Sequence, residues 1–128
     1  MVIKPSAPLS LPRSRRIKQR RDFALAKLQG KRAVSGCLVA NWLPLPSGSP
    51  SRLGVITGRK LGGAVVRVRA RRLLREAFRL HQLELAQPLD LVLVARPSIV
   101  GKKFSVVEKD FLAALHQGQL LKQASPVD

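Results

Sequence analysis

The 128-residue chain carries 24 lysines and arginines against 7 acidic residues, a formal net charge of +17, with 45% hydrophobic residues. That length accommodates one ordinary domain and is short for two, and so large an imbalance repels itself in a folded state unless a polyanion neutralises it. The hydrophobic share excludes a basic disordered tail, so the charge is displayed on a folded scaffold suited to an RNA or DNA partner.

Residues 1–12 contain Lys4 but are interrupted by Pro5, Pro8 and Pro12, leaving no apolar core for a secretory signal. A cytoplasmic protein with a loose amino-terminal tail is expected. Arg20 to Leu28 reads as a short helix stopped by Gly30. Val34 to Leu43 is rich in residues that suit a pleated surface and reads as a strand, ended by the Pro44 to Ser51 turn cluster. Leu53 to Thr57 resumes a strand pattern, and Gly58, Gly62 and Gly63 form the connection to the next segment. Ala64 to Leu85 contains neither proline nor glycine and is dominated by good helix formers. Leu89 to Ala95, bounded by Pro88 and Pro97, predicts a buried strand. It is also the longest strongly apolar stretch, includes Asp90, and falls far short of the roughly 20 residues that a membrane span requires. Phe104 to Leu121 spaces Val107, Phe111, Ala114, Leu115 and Leu121 as a final helix, and a loose carboxy-terminal tail follows. The domain is expected over residues 13–121, with tails at 1–12 and 122–128, as an α+β sandwich in which helices cover a small sheet.

Cys37 is the single cysteine, and with only His81 and His116 beside it no zinc spacing exists. Cys37 reads as a small half-buried strand residue.

The main helix separates into two faces at about 100° per residue. Val66, Ala70, Leu73, Leu74, Ala77, Phe78 and Leu80 fall in one sector, while Arg67, Arg71, Arg72, Arg75 and Arg79 fall opposite, with Arg69 on the flank. Arginines one turn apart repel by a few tenths of a kcal/mol per pair, and only Glu76 is near enough in sequence to offset them. A row of one sign is better explained by guanidinium forks meeting phosphate oxygens than by solubility.

The stretch RLGVITGRKLGGAVVRVRARRLLREAFR, Arg52 to Arg79, resembles the signature of the bacterial ribonuclease P protein family. That pattern places a basic pair, Gly-x-Ala-Val, Arg-Asn-Arg and an Arg-Arg-x-x-Arg-Glu run in this order. The resemblance extends to Arg21-Asp22-Phe23 and to Leu89-Asp90-Leu91-Val92 with Ala95-Arg96. It implies a mixed sheet of about four strands in the order α-β-β-β-α-β-α, with the left-handed crossover that the family shares with a ribosomal protein fold and that general rules disfavour.

The resemblance further implies that Arg59, Lys60, Arg67, Arg69, Arg71, Arg72 and Arg75 contact a catalytic RNA through phosphates. It points to a leader-binding cleft involving Phe23, Lys27, Lys60 and Arg67 for the 5′ leader of precursor tRNA. Phe23 could stack on a base or serve as the core anchor of its helix, and both readings stay open. Two positions depart from the family: Val68 replaces the usual asparagine, and Lys27 replaces an aromatic or aliphatic residue. The cleft is therefore expected to be more electrostatic.

No sequence pattern suggests a protein active site or metal site, and the resemblance implies that magnesium enters through the RNA subunit, which performs the hydrolysis. Three rivals carry less weight. A structural RNA-binding protein would lack the leader cleft, a helix-turn-helix DNA binder would need a helix where strand and glycine loop precede Ala64, and a stand-alone nuclease would cleave without RNA.

Overall fold

A computed structural model describes residues 11–122. The elements run α1 (Arg20–Gln29), β1 (Lys31–Ser35), β2 (Leu38–Pro44), β3 (Arg52–Ile56), α2 (Ala64–His81), β4 (Leu89–Ala95) and α3 (Phe104–Gln117), the succession expected. The 4-stranded sheet has the order β1-β2-β4-β3. Its pairs are antiparallel except β3 with β4. A parallel pair cannot be closed by a tight turn, and α2 provides the crossover between them.

Several boundaries differ from the expectation. The segment read as one strand from Val34 to Leu43 is a hairpin that reverses at Gly36 and Cys37. Gly36 has φ +51°, where a side chain is strained, and a Cβ there would meet Asp110 of α3. Apolar residues continue on both sides of the turn, which hid the reversal. The main helix ends at His81, and Gln82–Glu84 tighten into a 3₁₀ turn in place of a continuation to Leu85. The last helix ends at Gln117, after which Gln119 adopts φ +57°, Leu120 is buried and Leu121 bridges Leu85. The expected tails at 1–12 and 122–128 lie outside the described residues except for Leu11, Pro12 and Lys122, and Leu11 packs against the core.

Strand alternation sorts the sheet into two faces. Leu53, Leu89, Leu91, Leu93, Leu38, Ala40 and Trp42 join Leu74, Phe78, Phe111 and Leu115 in the main core beneath α2 and α3. Fully burying each of the large side chains contributes about 1.5–3 kcal/mol. The other face presents rows such as Asn41, Val92 and Gly54, then Val39, Val94 and Ile56. Among the described residues, α1 and the segment before it cover that face, through Ile17, Phe23 and Ala26. Arg52 fixes α1 in place: its Nε and Nη2 donate to Asp90 at 2.8 and 2.6 Å, and its Nη1 lies 3.6 Å from Asp22 of α1.

Candidate RNA interface

Because the sheet and α3 together cover an arc of α2 centred between Ala70 and Leu74, the arginines divide into two groups. Ala70, Leu74, Ala77 and Phe78 are buried. Arg67, expected opposite this face, falls within the covered arc at 100° per residue and is half-buried, as are Arg71 and Arg75. Leu80, expected on the apolar side, is 36% exposed. Arg67, Arg71 and Arg75 therefore form an inner, half-buried row whose stems lie along the protein. The Nε atoms of Arg67 and Arg71 are buried without a hydrogen-bond partner, as is that of Arg16 from the segment before α1. Burial pushes the Arg75 guanidinium below its ordinary pKa, and the charges of Arg16 and Arg71 add to the effect. Arg69 and Arg72 form an outer, exposed group with Val68, which is 37% exposed and thus lies on the solvent side as expected.

Two clefts run along α1, the first around the edge strand β3 and the second on the half-covered sheet face. One, of about 390 Å³, is lined by Phe23, Ile17, Leu53, Gly54 and Val55 with Arg13, Arg16, Lys18 and Arg75 around it. Phe23 lies so close over Gly54 that a Cβ there would stand 2.4 Å from the ring, so the glycine lets the helix approach the strand. Phe23 is half-buried: it packs on the sheet and lines the cleft at once. The second, of about 260 Å³, is lined by Lys27, Arg32, Val39, Asn41 and Val94. Phe23 and Lys27, one helical turn apart, thus line the two neighbouring hollows. Lys60 and Arg67, expected beside Phe23, do not line either one; Arg59 and Lys60 are exposed on the 3₁₀ turn Arg59–Leu61 that leads into α2.

Sequence reasoning missed Arg13, Arg16, Lys18, Arg32 and Asn41. The cations before α1 were visible only as a charge run, and nothing local showed that the run folds back onto β3, where Ile17 N–H donates to Leu53 at 2.8 Å. Asn41 is 4% exposed, yet its side-chain amide has no hydrogen bond to any described residue. An amide in that position retains donor and acceptor capacity toward whatever enters the second cleft.

Every described carboxylate is engaged. Asp22 and Asp90 hold Arg52, Glu76 pairs with Arg79, Glu84 and Glu108 take the two ring nitrogens of His81, and Asp110 accepts from the Cys37 backbone N–H at 3.0 Å. Among the described lysines and arginines, only Arg52 and Arg79 belong to an ion pair. No three His, Cys, Asp or Glu side chains gather to hold a metal among the described residues, and none of the described helices is long and apolar enough to cross a membrane. Burial and the adjacent Asp110 push the Cys37 thiol up to about 12, which keeps it protonated at neutral pH.

A basic α+β domain with unneutralised arginine rows beside a half-open sheet face defines a polyanion-binding protein. A sequence profile of the family described as Ribonuclease P matches residues 11–119. The ribonuclease P protein component of Gluconacetobacter diazotrophicus is 36% identical over 108 residues, covering 82% of this chain and 91% of that one. The component of Brevibacillus brevis is 30% identical over 112 residues, with 88% and 89% coverage. In three dimensions, the ribonuclease P protein of Thermotoga maritima superposes with a TM-score of 0.70 at 29% identity, covering 80% of this chain and 96% of that one. That of Staphylococcus aureus shares the fold with a TM-score of 0.77 at 23% identity, covering 84% and 98%. The chain belongs to the bacterial ribonuclease P protein family, and its role is that of the protein component of this ribonucleoprotein endoribonuclease in tRNA processing.

Proposed function

We propose that this protein binds the catalytic RNA of ribonuclease P through the arginines of α2 and holds the 5′ leader of precursor tRNA along the half-covered sheet face. The observation that carries this reading is the pairing of unneutralised arginine rows with two clefts along α1, one at the β3 edge beside Arg75 and one on the half-covered sheet face. Arg71, Arg72 and Arg75, with Arg59, Lys60 and Arg67 around them, meet phosphates of the catalytic RNA, and these contacts position without reading sequence. Arg67 and Lys60 serve the junction between that RNA and the leader. Phe23 offers a ring face to a leader base, while Lys27 and Arg32 neutralise its phosphates and Asn41 meets a base edge.

Magnesium belongs to the RNA subunit, which performs phosphodiester hydrolysis; the protein lowers the electrostatic cost of bringing two polyanions together. Tethering the leader away from the reacting bond tightens substrate association, and it accelerates the chemical step only where contacts strengthen in the transition state. The test is cleavage of a precursor tRNA by the catalytic RNA at low magnesium, with and without the protein. Stimulation that needs both supports the reading. No stimulation by folded protein favours a structural RNA-binding role, and cleavage by the protein alone would establish a nuclease.

A further inference from the structure

The register pairs Ile56 of β3 with Val94 of β4 and Leu38 of β2 with Ala95, so β3 and β4 finish at the same end of the sheet, beside the β1–β2 hairpin. At this end Arg96 is exposed and donates through Nη1 to the Gly36 carbonyl at 2.9 Å, and its backbone N–H donates to Cys37 at 2.9 Å. The chain then passes through buried Ile99, turns at Gly101 with φ +80°, and presents exposed Lys102 and Lys103 ahead of α3. From α2, Arg69 reaches across and donates through Nη2 to the Lys102 carbonyl at 2.7 Å.

Arg69 and Arg96 thus each use part of a guanidinium on a backbone carbonyl and fix a basic segment in place. Asp110, a carboxylate in contact with this end, is engaged by the Cys37 N–H at 3.0 Å. No acidic side chain among the described residues pairs with Arg69, Arg96, Lys102 or Lys103. Holding like charges together against repulsion is costly for a surface that serves solubility alone, since interleaved signs would do that better.

We propose that Lys102 and Lys103 form a second phosphate-contacting surface for the catalytic RNA, continuous with the outer group of α2, in which Arg69 is a positioning residue that clamps the lysine segment to the helix. This rests on the reading that α2 faces that RNA. It also gives Arg69 a role different from that of its neighbours: its fork is directed at protein and acts on RNA through the segment it holds.

The test measures binding of the intact protein to the catalytic RNA across a salt series. Replacing both lysines, Lys102→Ala with Lys103→Ala, should weaken binding and lower the slope of log affinity against log salt by about 2, near 1 for each lost phosphate contact. Circular dichroism and the melting temperature should be unchanged because both side chains are exposed. An unchanged slope with intact folding overturns the proposal and leaves a solvated patch. Arg69→Ala should lose much of the same slope, and adding it to the double lysine variant should cost less than it does alone. Fully additive losses would instead make Arg69 an independent phosphate contact and remove its positioning role. The parallel triple variant Arg67→Ala, Arg71→Ala and Arg75→Ala separates the two readings: if it too leaves the slope unchanged, the assignment of α2 to the catalytic RNA fails along with the proposal.

Discussion

Single residues carry much of the leader reading. Gly54 permits the approach of Phe23, so Gly54→Ala is expected to lose about 1–3 kcal/mol of stability through overpacking, measured by urea unfolding, and to lift the ring away from the cleft. Asn41 separates structural from functional value in the opposite sense. Its amide makes no bond within the described protein and opens onto the second cleft, so Asn41→Val should leave the melting temperature unchanged or raise it while reducing the ratio of affinities for precursor and mature tRNA. An unchanged ratio would remove Asn41 from the leader site. Phe23→Ala should reduce both stability and that ratio, because the ring packs and lines the cleft together. Val68→Asn, on the exposed side of α2, is expected to preserve or improve affinity for the catalytic RNA. At this scale the sequence was informative where a motif stood out, as at Phe23 and the arginines. It was silent on Asn41, whose burial and open cleft depend on how far α1 extends over the sheet.

The elements were legible in proportion to the strength of their periodicity and punctuation. Leu89–Ala95, bounded by prolines, came out to the residue, and α1 and α2 began where expected. The β1–β2 hairpin was missed in the residue pattern because its reversal depends on Gly36 and on Asp110 of α3, more than seventy positions away in sequence. The rotation of α2 was likewise set by neighbours: the apolar residues span an arc broad enough to accept several orientations, and contact with the sheet and α3 selected the one that takes in Arg67. Where α2 and α3 meet at their ends, His81 lies between Glu84 and Glu108 and against Phe111, its ring nitrogens 2.5 and 2.8 Å from the carboxylates. Burial opposes its protonation, but the hydrogen bonds to Glu108 and Glu84 outweigh that and raise its pKa above 6.5. A raised pKa stabilises the fold fully below the unfolded value, and the contribution is lost as pH rises through the folded one. Thermal unfolding followed from pH 6 upward should therefore show a decline in stability that His81→Gln largely removes.

For the whole molecule, the distribution of charge matters more than its total. With each described carboxylate engaged and, among the described lysines and arginines, only Arg52 and Arg79 in ion pairs, the remaining cations lack a counter-charge, and the free protein should melt at a higher temperature when sulfate or phosphate is added at constant ionic strength. The class of partner was legible from +17 and a one-sign helix alone. The shape of the site was not, because the Arg13 to Lys18 segment joins the arginines of α2 only through β3, a relation no local pattern encodes. The buried Nε atoms of Arg67 and Arg71 have a consequence for binding itself. A side chain walled in along its stem has given up most of its rotamers on folding, and an arginine free in solution would surrender roughly 2 kcal/mol of that freedom when it docks. These two forks are preorganised, so their contacts with RNA should form with a smaller entropic penalty than those of the freely rotating Lys102 and Lys103.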